Sequence, residues 1–473
     1  MRIISGLKWN LIKAIGSFLI KFIYGVIVAK ILGPVVIGKM GMIVVFSGFA
    51  SIFINSGFKS RIVQVEEIND KELNTIFVFN SVMGAVLTAL LFLTSDIIAH
   101  FFNYPEIGFY IKIYSFNFLL QSLILVPLAV NDRNLDFNKN TKSILLASLL
   151  ALCVAMTLIF LGFELLSLVI YALASNIFSI IFIYGESEWF PKYFFQYSLL
   201  KRHLPYSLNL LFVRIFEEFV TKIDNIVTGK YFDANSLGLF SKSKDIAKLP
   251  NSLITSSVNN TLFPYFSRSG KDTESAKSIY NYLLFGVTFL YLNVFLSLIY
   301  FNKEIIMILL SEEWLLMMPY FKIALIIMMV KGVSSFKGYF ILSRGDSKVV
   351  SKALYISGGT KILLMVVLLL IIDFTPIDFL YITLFSEVVL FLIYEKVVTN
   401  IIVMNFFKSF IKNVSYHLAV LFVYFLIFLV SYLVKLNIFQ KVLLYTSLIS
   451  IMFFGYYKYS NNFKFLISSY FKK

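Results

Sequence analysis

The positions of lysine and arginine constrain this chain more than any other feature of its sequence. Apolar segments long enough to span a membrane, about fourteen in all, can be placed along the 473 residues. With both termini on the cytoplasmic side, 22 of the 42 Lys and Arg residues fall in cytoplasmic stretches, and three (Lys230, Lys303 and Lys435) fall outside. Because positive residues are retained on the cytoplasmic side during insertion, this asymmetry predicts span number and orientation together.

The predicted spans use most of the chain, since each spanning helix needs roughly 20 apolar residues. They are 9–32, 38–58, 74–95, 109–130, 143–162, 165–184, 208–229, 237–262, 279–300, 319–342, 353–372, 378–397, 413–434 and 441–458. Hydrophobic residues make up 59% of the chain and charged residues 14%. We therefore expect an all-α integral membrane protein with no sizeable soluble domain.

A short internal repeat divides the predicted spans into two lobes. Lys30–Gly38 aligns with Lys230–Gly238 at an offset of 200, and each segment joins the first two spans of a six-span half. We predict pseudo-symmetric six-helix lobes over 1–200 and 201–400, then two additional helices and a basic cytoplasmic tail over 401–473. Both lobes start on the same side, so the repeats are parallel, about an axis along the membrane normal.

The predicted span 208–229 is too polar to face lipid. It carries five charged residues, and a charge at a helix centre costs about 2.5–3.5 kcal/mol on insertion scales. At about 100° per residue, its polar residues fall on one stripe, which must meet water or partner charges. The stripe holds Arg214, Glu217, Glu218, Thr221, Asp224 and Asn225.

A cavity lined by these spans is predicted to carry more positive than negative charge, which suits an anion. The candidate substrate-binding cations are Lys21, Arg214, Lys248, Lys331 and Lys361. The carboxylates Glu217, Asp224 and Asp245 are candidates for binding a coupling cation or for offsetting the positive charge.

Two simpler interpretations of the charges stay open. Charges near span ends can extend to the membrane interface, and Lys13, Lys30, Lys242 and Lys337 are placed in this group. Arg214 can also form a buried structural pair with a neighbouring glutamate of its own helix.

The sequence offers no constellation typical of an enzyme or a metal site. It has no phosphate loop or nucleophile motif, and one cysteine with three scattered histidines gives no metal-ligand spacing. We therefore expect no catalytic residue, bound metal or cofactor. The net charge of +16 is explained by basic loops at an anionic leaflet, so nucleic acid is not an expected partner.

Short motifs in a fixed order over residues 30–350 carry a family resemblance. They are Leu32–Gly38, Asn55–Gln64, Asp132–Phe137, Asp224, Leu237–Phe240, Leu249-Pro250, Phe263-Pro264 with Ser267-Arg268, and Ser311–Trp314. In this order they resemble the Wzx-type polysaccharide flippases, of the superfamily that includes MATE drug exporters and the lipid II flippase. The sequence departs from the family pattern after Gly238, where Phe240–Ser243 replaces a YxxA-like continuation and adds positive charge.

The resemblance implies a fourteen-span, V-shaped, MATE-like bundle with alternating access. It implies a cationic cavity that takes up the diphosphate of an undecaprenyl-diphosphate-linked oligosaccharide at a bacterial inner membrane. The product would be O antigen, capsule or exopolysaccharide, and the energy source an H⁺ or Na⁺ gradient. Membrane lipids, a polysaccharide polymerase and a chain-length regulator are the other partners that it suggests.

Three alternatives belong to other functional classes. A MATE-type drug antiporter shares the fold class, but its substrates are often cationic and a net-positive cavity would repel them. A membrane polymerase or ligase usually needs a large outer loop, whereas the longest one predicted here is 301–318. A pure scaffold is disfavoured, because buried charge is costly without a use.

Overall fold

The computed structural model describes residues 2–55, 58–268, 273–370, 373–434 and 436–459. The helices are α1 (Arg2–Val44), α2 (Ser47–Asn55), α3 (Phe58–Gln64), α4 (Asp70–Phe101), α5 (Ile107–Arg133), α6 (Phe137–Phe160), α7 (Glu164–Glu186), α8 (Tyr197–Tyr231), α9 (Ala234–Arg268), α10 (Thr273–Tyr300), α11 (Asn302–Leu309), α12 (Met318–Ser343), α13 (Ser347–Leu369), α14 (Pro376–Ile401), α15 (Phe406–Val434) and α16 (Ile438–Tyr459). A 3₁₀ turn, Glu312–Met317, precedes α12. Within these ranges there is no β-strand, so the predicted all-α fold is confirmed.

Nine helical stretches in the described ranges are long and apolar enough to cross a membrane. Shorter apolar stretches follow in α15 and α16, at Val420–Val434 and Ile438–Met452. The polar helices α8 and α9, each of 35 residues, hold the predicted spans 208–229 and 237–262, and they are not among the nine because they carry too many charges. The chain is thus a multi-pass membrane protein, and the number fourteen stays a prediction.

The contacts between helices divide the chain into two compact units, Met1–Ser241 and Lys242–Lys473. In the first unit, α5 lies at the centre and packs on α4 and α7, while α6 packs on α7. In the second unit, α14 packs between α12 and α13, and α10 packs on α12 and α15. The predicted lobe boundary at residue 200 stays a prediction.

Gly33 interrupts α1 at the predicted turn between the first two spans. Its φ of 70° lies in the left-handed region, which glycine adopts without steric cost. Pro34 follows, and its fixed φ suits the first position of the helix that resumes there. The Leu32-Gly33-Pro34 motif therefore marks a real break within one long helical segment.

The two copies of the internal repeat contact each other within the first unit. A Cβ placed on Gly38 would lie 1.7 Å from the Ala234 carbonyl oxygen, and one placed on Gly238 would lie 1.9 Å from the Pro34 carbonyl oxygen. An offset of 200 residues relates Pro34 to Ala234 and Gly38 to Gly238, so each of the two contacts is the symmetry equivalent of the other. We call this contact the glycine seam. Its symmetry supports the internal repeat that the sequence predicted.

Polar contacts surround the glycine seam. The Tyr104 hydroxyl accepts a hydrogen bond of 2.9 Å from the Ala234 backbone N–H. Lys39 lies 3.1 Å from Glu106. Burial acts to raise the pKa of Glu106, but its backbone hydrogen bond and Lys39 outweigh burial and hold that pKa below its ordinary value. These contacts fix the start of α5 against the repeat segments.

The Asp132–Phe137 motif joins three helix ends. Arg133 Nη1 donates to the carbonyl oxygens of Ile62 at 2.7 Å and Val65 at 2.5 Å, which would otherwise lack partners at the end of α3. Lys59 lies 2.8 Å from Asp132, which also accepts a hydrogen bond of 2.7 Å from Asn140. The structure thus assigns this motif a positioning role at one end of the first unit.

Candidate functional site

The predicted cations of the first unit are exposed side chains on long helices. Lys21 lies on α1 and Arg214 lies on α8, and both are exposed, as is Glu217 one turn after Arg214. Exposure within a membrane protein means contact with lipid or with water, and an ionised group on the lipid face is costly. The positions of Lys21 and Arg214 are therefore compatible with a hydrated cavity.

Asp224 differs sharply from the other members of the polar stripe on α8. Its side chain is 0% exposed, and it accepts a hydrogen bond of 3.1 Å from the Asn225 backbone N–H. Glu218 is half-buried, and a Cβ on Gly48 of α2 would lie 1.8 Å from its Oε1. The stripe thus runs from an exposed end at Arg214 into the interior of the first unit at Asp224.

The predicted residues of the second unit lie on three helices. Asp245 and Lys248 of α9 are both exposed. Lys331 of α12 lies 3.4 Å from Glu387 of α14, and its side chain is 47% exposed. Lys361 of α13 is buried, with 3% of its surface exposed. The pair of Lys331 and Glu387 thus joins two of the predicted spans, 319–342 and 378–397, through opposite charges.

The structure reveals a second, fully buried ion pair between α12 and α14. Lys337 Nζ lies 2.6 Å from Glu395 Oε2, and the two side chains are 1% and 2% exposed. The ammonium group also lies 3.3 Å from the centre of the Phe391 ring, which adds a cation–π contact. The expectation that Lys337 extends to the membrane interface is therefore wrong, because its partner holds it inside the unit.

This ion pair lines a cavity of about 330 Å³ within the second unit. The cavity lies among α10, α12, α14 and α15, and its wall is mostly apolar, with Leu284, Met329 and Leu392 among its residues. Tyr291 closes one wall against Gly332, where a Cβ would lie 1.8 Å from the tyrosine ring. The Tyr291 hydroxyl donates to Asn251 Oδ1 at 3.1 Å.

Sequence reasoning missed Glu395 for an identifiable reason. Glu395 lies near the end of a predicted span, where a charge is ordinarily assigned to the interface. Its partner Lys337 is 58 positions earlier in the chain, and only the packing of α12 on α14 brings the two together. One sequence signal could have indicated the pair. The two predicted spans that hold Lys331 and Glu387 also hold Lys337 and Glu395, so each span carries two like charges that could meet two opposite charges of the other span.

The predicted site residues remain a prediction as a set. Lys21, Arg214, Glu217 and Asp224 belong to the first unit, whereas Asp245, Lys248, Lys331 and Lys361 belong to the second. Their joint action on one substrate is part of the same prediction, which variants in both units test.

Comparison with known proteins identifies the fold and the family. The solved structure of the lipid II flippase MurJ, in an inward closed conformation, matches with a TM-score of 0.73 at 16% identity. That match covers 94% of this chain and 99% of MurJ, and it establishes a shared fold.

Two curated relatives cover most of the chain. The teichuronic acid biosynthesis protein TuaB of Bacillus subtilis is 22% identical, over 76% of this chain and 75% of TuaB. The lipopolysaccharide biosynthesis protein WzxC of Escherichia coli is 22% identical, over 72% of this chain and 70% of WzxC. The sequence pattern of the polysaccharide biosynthesis protein family matches residues 27–319, more than half of the chain. The protein therefore belongs to the polysaccharide biosynthesis protein family, which confirms the resemblance of its motifs to the Wzx-type flippases.

Proposed function

We propose that this protein is a flippase for undecaprenyl-diphosphate-linked oligosaccharide repeat units. It moves them from the cytoplasmic to the outer face of a bacterial inner membrane, for O-antigen, capsule or exopolysaccharide synthesis. The observation that carries this proposal is the family match over residues 27–319 in a multi-pass chain whose membrane helices present cationic side chains. The shared fold with MurJ and the names of TuaB and WzxC support the same assignment.

The diphosphate is the part of the substrate that the cations suit. Charge-assisted hydrogen bonds to phosphate are about twice as strong as neutral ones, and arginine can bind two oxygens at once. Lys21 and Arg214 of the first unit and Lys248 of the second have the exposure that such contacts need. Lys331 is partly exposed beside Glu387, and Lys361 is buried, so these two are the candidates that need a change in their surroundings. The isoprenoid tail can stay in the bilayer, since only the polar head must cross a hydrated path.

A cation gradient is the proposed source of energy, with H⁺ or Na⁺ as the coupling ion. Glu217, Asp224 and Asp245 are the proposed coupling carboxylates. Asp224 is favoured among them because it is buried, whereas Glu217 and Asp245 are exposed. A buried carboxylate has more to gain from a bound cation, since the ion replaces solvation that burial removed.

Topology and partners complete the proposal. The distribution of basic residues supports a cytoplasmic position for both termini, with membrane lipids around the chain. A polysaccharide polymerase and a chain-length regulator are the proposed protein partners. A MATE-type drug antiporter is the second candidate, and the excess of cations among the proposed site residues speaks against its cationic substrates.

Reconstitution tests the flippase assignment directly. Purified protein in liposomes is supplied with a fluorescent undecaprenyl-diphosphate oligosaccharide, and an impermeant reagent then quenches the outer leaflet. We expect the protected fraction to fall with time in the presence of the protein, and not in protein-free liposomes. Transport of a cationic dye without movement of the glycolipid would instead support the drug antiporter.

A further inference from the structure

The ion pair of Lys337 and Glu395 is costly for a structural role alone. Its two side chains are 1% and 2% exposed, and its atoms are 2.6 Å apart. Removing each charge from water carries a large desolvation cost, and well-packed apolar residues in place of a buried pair are often neutral or stabilising. Ionisable groups inside membrane proteins usually mark ion or substrate pathways. The pair therefore calls for a functional use.

Two polar atoms beside the pair indicate that the cavity takes part in polar chemistry. Tyr280 Oη and His417 Nδ1 are buried, and neither has a hydrogen-bond partner among the residues that the structure describes. His417 lines the cavity together with Lys337 and Glu395, and it stacks on Phe285 with ring centres 5.1 Å apart. Buried polar atoms are normally satisfied, so His417 Nδ1, which belongs to the cavity wall, points to water or a small polar species in the cavity.

We propose that Glu395 is a proton-binding carboxylate of the second unit, and that it takes up a proton when Lys337 leaves it for the adjacent cavity. One proton from water bonds to a Glu395 carboxylate oxygen and gives the neutral acid. The Lys337 ammonium keeps its own proton, and no other bond forms or breaks. This inference rests on the proposed function, because it names H⁺ as an ion that the flippase binds.

Proton uptake is thereby linked to conformation. Protonating Glu395 while Lys337 stays in place would leave a buried ammonium without a counter-charge, and breaking a buried pair in this way is strongly destabilising. The proton therefore binds in a conformation that hydrates Lys337, and removal of the proton restores the closed pair. A ligand that binds one of two states better shifts the population toward that state, so a proton gradient biases the two conformations.

Neighbouring charges leave this link intact. Lys331 and Glu387 pair with each other at 3.4 Å, six and eight residues away along α12 and α14, so their effects on Glu395 largely offset. Tyr280 and Tyr291 face the region from α10, and Lys361 belongs to α13. Lys396 follows Glu395 and is exposed. Protonation of His417 would add positive charge beside Lys337 and oppose proton uptake by Glu395.

Infrared titration of the purified protein tests the proton site without any transport assay. Lowering the pH should produce the carbonyl band of a protonated carboxyl group, and Glu395→Gln should lose that component. The matched control is Glu304→Gln, which breaks another ion pair of 2.6 Å, to Lys441, and should keep the component. An unchanged band in Glu395→Gln overturns the proposal.

A double variant tests the coupling to transport, and it replaces Glu395→Gln in the infrared titration if that single variant misfolds. Lys337→Met with Glu395→Met removes both charges and keeps volume, so the unit should fold. In liposomes, an imposed proton gradient should accelerate glycolipid movement by the native protein and by Glu304→Gln, and this acceleration should be lost in the double variant. Full acceleration in the double variant overturns the coupling. Failure of the native protein to move glycolipid would sink the flippase assignment, while the infrared band would still decide the proton site.

Discussion

At the scale of single residues, burial separates the charges that the sequence grouped together. Lys21 and Arg214 are exposed, whereas Asp224 and Lys361 are 0% and 3% exposed. A group that binds an arriving diphosphate must be reachable from water, while a group that responds to an ion must change its solvation. The two sets therefore predict different phenotypes.

Removal of a proposed diphosphate contact should weaken export. A hydrogen bond to a charged group contributes about 1.5–3 kcal/mol, so Lys21→Ala and Arg214→Ala should each weaken substrate binding roughly tenfold or more. Lys361 is buried, so Lys361→Ala should have this effect only if substrate binding opens its surroundings to water. Surface polysaccharide is measured at matched protein level in the membrane. Lys303→Ala, an exposed cation in the predicted outer loop, serves as the control and should export normally. Full export by all three variants would contradict the diphosphate contacts. It would favour the simpler interpretations, in which these charges extend to the membrane interface or form structural ion pairs.

Asp224→Asn should remove the response to an ion gradient. The amide keeps the size of the side chain but cannot bind a proton or hold a cation by charge, so an imposed gradient should no longer accelerate glycolipid movement. Glu217→Gln tests the exposed neighbour, and Glu313→Gln, an exposed carboxylate outside the predicted spans, is the control. If Asp224→Asn and Glu217→Gln both respond as the native protein does, neither carries the ion, and the remaining candidates are Asp245, Glu387 and the proposed proton site at Glu395.

Sequence alone predicted charge at these positions but not its partners. Helical periodicity placed Glu217 and Asp224 on one stripe, and the alternation of basic loops explained the spans. It could not show that the stripe enters the interior at Asp224, nor that Lys337 meets Glu395, because those facts depend on how separate helices pack. Pairings between distant helices are tertiary information that a single sequence lacks.

At the scale of helices, the glycine seam is the contact that most depends on one residue type. A methyl group at Gly238 would lie 1.9 Å from the Pro34 carbonyl oxygen, so Gly238→Ala must push the two repeat segments apart. Overpacking of this kind costs about 1–3 kcal/mol. We expect a lower melting temperature for Gly238→Ala and for Gly38→Ala in detergent.

Gly359→Ala provides the matched control for the seam. Gly359 lies inside α13, and a Cβ there meets nothing within 4 Å. Alanine in a helix interior is favoured over glycine by about 0.5–1 kcal/mol, so this variant should melt at or above the native temperature. Native-like melting of Gly238→Ala would show that the seam opens in solution.

The helices themselves were largely predictable, and their irregularities only in part. Gly33 and Gly345 are strong turn signals, and the structure has positive φ at both. Leu135 also has a positive φ, of 64°, which no rule for a leucine predicts. Leu135 follows Asp132 and Arg133, which contact Lys59 and the Ile62 carbonyl oxygen of α3. These tertiary contacts hold a backbone conformation that leucine disfavours locally.

At the scale of the whole molecule, the internal repeat and the basic loops remain the most informative features of the sequence. At the glycine seam, Gly38 packs on Ala234 and Gly238 packs on Pro34, so the two contacts are related by the same offset of 200 residues as the repeat. The nine-residue match in the sequence could not show this symmetry by itself. The all-α membrane fold followed from composition and span length. The number and the orientation of the spans depend on helices that carry many charges, and these need a direct test.

Reporter fusions provide the topology test, because one spanning helix must separate two compartments. A fusion after Asp272, which lies outside the described residues, and a fusion after Glu312 flank α10. Basic residues cluster before α10 and are sparse after it, so we expect the first reporter in the cytoplasm and the second outside. Fusions after Arg133 and Gln196 flank the pair α6 and α7, and both should report the cytoplasm. If the reporters after Asp272 and Glu312 share a compartment, the predicted span count is wrong, and so is the orientation of every helix that follows.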